Sequence, residues 1–214
     1  MRALVDLLLP VRCGGCARVG TPWCAACAAE LAAGPVRVRP RTDPGVACWA
    51  LRPYRGPARR AVLAAKEHGR RDLADPLGVA LASALTRLRS ADRPLVLIPA
   101  PTRAAAARRR GGDPVARSTA CAARWLIDCR AVGLLRLRPG VRDSVGLDSR
   151  ERAHNLAHKI IAVSPATALG AIPANAEVVL VDDVLTTGAT ATESIRVLSR
   201  IGIHPCAVLV TCAA

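Results

Sequence analysis

Phenylalanine is absent from this chain, and its only aromatic residues are one Tyr and three Trp. A core for 214 residues must therefore be assembled from Ala, Val, Leu and Ile, which a hydrophobic content of 51% allows. The same shortage leaves little with which to stack nucleic-acid bases, so any grip on a single strand would rest on its phosphates. Lysine is nearly missing as well: Lys66 and Lys159 are the only two, and every other basic residue except the four His is Arg. Beside so much Ala, this skew reads as a coding bias, but the bias does not account for 16 acids against 31 bases. A formal net charge of +15 attracts polyanions, whether nucleic acid or a polyphosphate substrate. No apolar run approaches the ~20 residues of a membrane span, so no integral membrane association is expected. No G-x-x-x-x-G-K-[ST] string occurs, which leaves a P-loop nucleotide hydrolase unsupported. Ala3 to Val11 has the length of a short signal-peptide core behind Arg2, yet Asp6 interrupts it and no small-residue cleavage site follows before Cys13. A cytoplasmic protein is the expectation.

What the chain does have is concentrated between Glu177 and Ala191, EVVLVDDVLTTGATA. Its aliphatic opening is short and β-branched, as a buried strand requires. Two carboxylates follow, then a Thr/Gly loop, then a helix expected over Ala191 to Arg200. Strand, acidic end, small-residue turn and helix describe a ligand site at the carboxyl end of a parallel strand. The loop and the helix N-terminus offer N–H donors to an anion, and Gly188 permits close approach and unusual backbone angles. Thr186, Thr187 and Thr190 add hydroxyls. Asp182 and Asp183 suit hydroxyls or a hydrated cation. An isolated Asp pair ordinarily ends a solvated turn; the complete string is what weighs against that reading here.

At the other end stand Cys13-Gly14-Gly15-Cys16 and Cys24-Ala25-Ala26-Cys27. Two C-x2-C pairs so spaced present four thiolates to one tetrahedral zinc, and four sulfurs leave no open position, so the metal would be structural. Two disulfides in an exported protein, or plain buried thiols, are the alternatives. Leu4 to Leu9 reads as one amphipathic helical turn, and Pro35 to Pro44 as a linker or edge hairpin. A strand is expected over Val46 to Tyr54, then helices over Ala58 to Glu67 and Leu73 to Leu88. Strand and helix alternate from there: strand Leu95 to Ile98, helix Val115 to Ile127, strand Ala131 to Leu137, helix Ser149 to Ile160. The strand from Val178, the helix from Ala191 and a strand Ala207 to Thr211 complete a mostly parallel sheet covered on both faces.

Lys66 stands out because Arg would serve a plain solvated face here. The loop Pro99-Ala100-Pro101-Thr102-Arg103 leaves a strand end and continues to Arg108-Arg109-Arg110-Gly111, small residues and guanidiniums able to hold a pyrophosphate; alone, it would pass for a solvated basic loop. Arg152 and Asn155 share one helical face. Cys48, Cys121, Cys129, Cys206 and Cys212 lie inside expected elements without partners at ligand spacing, so buried thiols are expected.

Together these marks resemble the ComF (competence protein F) family of the type I phosphoribosyltransferase superfamily, nearly end to end. The motifs are the four-Cys knuckle, Tyr54-Arg55-Gly56 before a helix ending in Lys66, Pro99-Ala100-Pro101, Arg108 to Gly111, Arg152/Asn155 and Asp182 to Thr190. The resemblance implies an α/β fold, a parallel sheet flanked by helices, with a zinc-knuckle segment over 1–34 and a phosphoribosyltransferase-like domain over 35–214. It implies that Asp182 and Asp183 are catalytic and hold the ribose hydroxyls of phosphoribosyl pyrophosphate (PRPP). Thr186, Thr187, Gly188, Ala189 and Thr190 would hold the 5′-phosphate; Lys66, Ala100, Arg103, Arg108, Arg109 and Arg110 would complete the site, with magnesium bound alongside PRPP. Ser144 stands where relatives often carry Gln, and Gly112-Asp113 where they carry an aromatic residue and Asn, so no acceptor is carried over. Two functions follow as expectations. One is a glycosyltransferase that moves a 5-phosphoribosyl group; the other is a non-catalytic single-stranded-DNA-binding protein of DNA uptake in competence.

Overall fold

Strands that are apolar on both faces belong in the middle of a covered sheet. The computed structural model, which describes residues 10–102, 112–138, 159–163, 170 and 172–214, places them there. The elements among the described residues are α1 (Ala25–Ala32), β1 (Val36–Val38), β2 (Ala47–Pro53), α2 (Gly56–Glu67), a 3-10 turn (Arg71–Leu73) and α3 (Ala74–Leu88). There follow β3 (Leu95–Pro99), α4 (Pro114–Arg124), β4 (Cys129–Ala131), β5 (Leu135–Leu137), β6 (Ile160–Ala162), β7 (Glu177–Leu185), α5 (Ala189–Arg200) and β8 (Ala207–Ala213). Six strands form one sheet in the order β1-β2-β8-β7-β3-β4, and β5 pairs with β6 in a separate two-stranded ribbon. Only β1 runs antiparallel within the large sheet; the other neighbours are parallel. This is the expected α/β architecture.

Alternation along β7 splits the core in two. Val179 and Val181 face a layer that includes Leu31, Leu51, Val62, Leu73 and Leu85 from the first half of the chain. Val178 and Leu180 face the opposite layer, with Leu198 of α5 and Leu135 and Ile160 of the small ribbon. Within the first layer α3 and α4 cross closely because Gly78 has no side chain: a Cβ there would lie 2.5 Å from Cys121 Cβ. Aliphatic residues and alanine fill both layers, as the missing Phe requires.

Several boundaries differ from the sequence reading, each for a physical reason. Expected as one strand, Ala131 to Leu137 divides: β4 pairs with β3, residues 132–134 belong to neither strand, and β5 joins β6. The helix expected to reach Ile127 stops at Arg124, because Trp125 and Ile127 are 66% and 90% exposed and offer no face to the core. Ile160 opens a strand rather than closing a helix. The hairpin option for Pro35 to Pro44 is realised by β1, paired with β2 from Val36↔Ala50 to Val38↔Cys48. The turn at Leu4 to Leu9 and most of the helix at Ser149 to Ile160 lie outside the described residues, as do Ser144, Arg152 and Asn155.

Candidate functional site

β7 carries the two acids inside the strand. It stays paired with β8 through Asp182↔Val210 to Leu185↔Ala213, whereas β3 leaves it after Pro99↔Val181. The last residues of β7 therefore project beyond the end of β3, with both carboxylates on that projecting part. Successive side chains alternate: Asp182 continues the face of Val178 and Leu180, and Asp183 continues that of Val179 and Val181. On the latter face α2 delivers Lys66, whose Nζ lies 2.9 Å from Asp183 Oδ2 and 3.2 Å from Oδ1. Pro57 and the Arg55 cap start that helix, and Lys66 sits in its last turn, where a cation also suits the helix dipole. Sequence reading singled out Lys66 for its rarity; the fold brings it to the acids.

Asp182 has a different environment. Its side chain accepts the Asp183 backbone N–H at 2.8 Å. Burial pushes its carboxyl up to about 7, and the Asp183 charge adds to that; Lys66 and the N–H bond pull the other way without prevailing. Sequence alone gave no signal for this, since the displacement comes from packing. A carboxyl titrating near neutrality can donate as well as accept a hydrogen bond.

Beyond β7 the chain turns at Gly188, with φ +89°, into α5. A Cβ at Gly188 would lie 2.3 Å from the Thr42 carbonyl oxygen and 2.8 Å from Pro40 Cβ, and the Thr42 N–H donates to the Thr187 carbonyl at 2.8 Å. The β1–β2 connection thus leans directly on the Gly188 loop, a contact that the Arg/Pro composition of Pro35 to Pro44 did not reveal. Thr186 is exposed, Thr190 half-buried, and Thr187 and Ala189 buried. Thr187 Oγ1 accepts the Ala189 N–H at 3.4 Å, while the first turn of α5 has neither an acidic residue nor a side-chain cap. Such an N-terminus is suited to an anion.

Across the edge, β3 ends at Pro99 and Ala100 is buried, its N–H donating to the Val181 carbonyl at 2.8 Å. Thr102 Oγ1 donates to Asp113 Oδ2 at 2.7 Å, and Asp113 Oδ1 caps α4 by accepting the N–H of Val115 at 2.9 Å and of Ala116 at 3.3 Å. That hydroxyl bond holds the two ends of segment 103–111 together at the carboxyl edge of the sheet. Arg103, Arg108, Arg109 and Arg110 lie outside the described residues. Asp-Pro before a helix is a legible capping signal; its bond to Thr102 is not.

At the N-terminus the four Sγ atoms of Cys13, Cys16, Cys24 and Cys27 lie within 4.8 Å of one another. Two of the separations are 3.7 Å, Cys13 to Cys27, and 3.6 Å, Cys16 to Cys24. A zinc ion with Zn–S bonds of about 2.3 Å sets tetrahedral sulfurs about 3.8 Å apart, so the arrangement can hold such a metal. All four are free thiols. Burial acts to raise Cys13, but N–H donors of Cys16, Cys24 and Gly15 outweigh it and bring that thiol down to about 6. Cys24 is lowered by the Cys27 backbone N–H, and Cys27 is raised by burial and its neighbouring thiols. Of the other cysteines, Cys48, Cys121 and Cys212 are buried as expected, whereas Cys129 is half-buried on edge strand β4 and Cys206, which precedes β8 rather than lying within it, is exposed; burial pushes Cys48, Cys121 and Cys129 up to about 11 and Cys212 up to about 12.

The knuckle is seated on the sheet layer that carries Lys66. Gly14 abuts Leu73, and Gly15 lies against Cys27 and Pro57 of α2. Arg60 Nε, also on α2, donates to the Gly15 carbonyl, and Arg70 reaches the carbonyls of Arg12 and Pro22 at 3.0 and 3.3 Å. No helix among the described residues is long and apolar enough to cross a membrane. A scan against protein-family models finds no match, and a search of curated proteins finds none either.

Proposed function

We propose that this chain is a phosphoribosyltransferase-like protein that binds PRPP with magnesium at the carboxyl end of β7 and transfers or exchanges its 5-phosphoribosyl group. One observation carries the reading: Lys66 and Asp183, 117 positions apart, meet beside Asp182, on the strand that leads into the Gly188 turn. A solvated acidic turn has no need of a helix that delivers one of only two lysines to its second acid. The ComF resemblance supports the same reading, and we take zinc as the ion for the four thiols.

In the transfer, the bond from ribose C1 to the pyrophosphate oxygen breaks and its electron pair leaves with pyrophosphate. The acceptor's lone pair forms the new bond to C1, and the acceptor's proton passes to solvent. Asp182 and Asp183 hold the ribose hydroxyls while C1 gains positive character. Lys66 orients Asp183 and occupies it as a counter-ion, so Asp183 acts as a hydroxyl acceptor more than as an open metal ligand. The Gly188 turn and the first turn of α5 suit the 5′-phosphate. Magnesium bound alongside PRPP would supply charge neutralisation for the departing pyrophosphate, leaving Asp182 and Asp183 to the ribose hydroxyls.

Calorimetry with PRPP and magnesium tests the assignment. Asp183→Ala should weaken binding about ten- to a hundredfold, since hydrogen bonds to a charged group are worth roughly 1.5–3 kcal/mol. Lys66→Met should weaken it as well, by leaving Asp183 without its counter-ion. Equal affinity in all three proteins, at unchanged melting temperature, would refute the site.

A further inference from the structure

Arg60 and Arg70 stand on either side of Lys66 in the chain, and both donate to the knuckle. Arg60 Nε meets the Gly15 carbonyl, while Arg70 meets the carbonyls of Arg12 at 3.0 Å and Pro22 at 3.3 Å. Every one of these acceptors borders a knuckle cysteine: Gly15 adjoins Cys16, Arg12 adjoins Cys13, and only Trp23 separates Pro22 from Cys24. The Arg70 backbone N–H donates to the Ala64 carbonyl at 3.1 Å, in the last turn of α2, and Asp72 pins its guanidinium at 2.7 Å. The helix that delivers Lys66 to Asp183 is therefore tied, near its start and just past its end, to the backbone around the four thiols.

We infer that the knuckle is an oxidation-sensitive latch: a hydroperoxide closes its thiols into disulfides, the metal site is lost, and α2 draws Lys66 away from Asp183. The inference rests on the zinc assignment for its trigger and on the PRPP reading for its consequence. Cys16 is half-buried, whereas Cys13, Cys24 and Cys27 are only 3%, 6% and 2% exposed, so a small peroxide meets Cys16 first. Its thiolate attacks one peroxide oxygen, the O–O bond breaks, the other oxygen leaves as water, and Cys16 becomes a sulfenic acid. Cys24, whose Sγ lies 3.6 Å away, attacks that sulfur and expels its hydroxyl as water. Two thiolates are oxidised, one peroxide is reduced and two protons are consumed. Cys13 and Cys27, 3.7 Å apart, close in the same way with a second peroxide. An S–S bond of about 2.0 Å pulls each pair inward, and the first closure already leaves too few thiolates to fill a tetrahedral site. The carbonyls that hold Arg60 and Arg70 move with the cysteines they border. The ion pair of Lys66, whose side chain is 35% exposed, adds little to hold α2 in place.

Lys66 can report the latch directly, because Lys159 is the only other lysine. The full, zinc-loaded chain is treated with hydrogen peroxide and pulsed with an amine-acylating reagent. A chromogenic chelator reads zinc release, and peptide mass spectrometry reads disulfides and acylated lysines. Peroxide should form the Cys16–Cys24 disulfide, release the zinc and speed acylation of Lys66 several-fold, with Lys159 unchanged and PRPP binding weakened. A thiol reductant with added zinc should reverse all of it. The double variant Arg60→Ala, Arg70→Ala, checked by melting temperature, should keep its zinc and acylate Lys66 as fast before peroxide as after. Zinc release with no change at Lys66 overturns the latch. So does peroxide that abolishes the melting transition, since the whole fold has then failed. Protein purified without zinc overturns the latch together with the zinc assignment. Faster acylation of Lys66 at unchanged PRPP affinity supports the latch and removes the PRPP reading.

Discussion

Asp182 and Asp183 are neighbours in sequence with opposite surroundings, because consecutive side chains of a strand point to opposite faces. Asp183 meets Lys66 across a partly buried ion pair, while Asp182 is pressed toward protonation by its surroundings. The sign of the resulting pH dependence follows. A carboxyl raised from 3.8 to about 7 on folding takes up protons that the unfolded chain does not, so its effect on stability worsens as pH rises through that window. Asp182→Asn removes the titration. Its melting temperature relative to wild type should climb from about pH 4 to about pH 7 and level off above, with a ceiling of roughly 4 kcal/mol at about 1.4 per pH unit. A difference that stays flat across that range would show that Asp182 is not displaced by burial. Gly188 is the other residue on which the site turns. Gly188→Ala combines an unfavourable φ, about 1–2 kcal/mol, with a Cβ driven onto the Thr42 carbonyl. It should lower the melting temperature by several degrees and loosen the anion loop, so PRPP affinity should fall further than stability alone explains. Unchanged PRPP calorimetry for this variant would disconnect the loop from the ligand.

Element by element, the knuckle matters for where α2 stands. Gly15 touches Pro57 and accepts from Arg60, both in the first half of α2, and Lys66 closes the same helix. Metal analysis should therefore find about one zinc per chain, as four thiolates fill a tetrahedral site. Stripping it with a chelator should lower the melting temperature and weaken PRPP binding together. A metal-free protein that keeps its fold, with reactive thiols at all four positions, would sink the zinc assignment. The strongest elements were also the most legible. Leu95 to Ile98 is too apolar for any place but mid-sheet, and the four-Cys spacing announces its cluster before any coordinates. Legibility failed where tertiary contact decides. Nothing local in Ala131 to Leu137 distinguishes a residue paired with β3 from one paired with β6, since both strands are three residues long. Nor does any local pattern say that Pro40 and Thr42 will lie on Gly188, or that Lys66 will reach Asp183.

At the scale of the whole molecule the question is what a net charge of +15 is for. Some of it has a bland use: Arg37, Arg39 and Arg41 are exposed along edge strand β1 and its exit, where charge discourages unwanted strand pairing. Trp23 and Trp49 pack against the core, so Trp125 is the one Trp well placed to meet a base, and base stacking cannot carry an affinity for nucleic acid. If the surplus serves DNA, binding to a single strand must be insensitive to sequence and steeply dependent on salt. The slope of log affinity against log salt is then about −0.7 for each phosphate neutralised. Arg108, Arg109 and Arg110 are the three adjacent guanidiniums best able to follow successive phosphates. They lie outside the described residues, between Thr102 and Asp113, which are hydrogen-bonded to each other at the edge where PRPP is proposed to bind. Replacing all three by Ala should reduce the magnitude of the slope by about two. The same protein should lose PRPP affinity, and PRPP should displace the strand from wild type in a competition titration. An arginine content that only reflects coding bias predicts otherwise: weak binding spread over the surface, a slope barely altered by the triple change, and no competition with PRPP. That pattern would remove the DNA-binding proposal and leave the proposed phosphoribosyl site untouched.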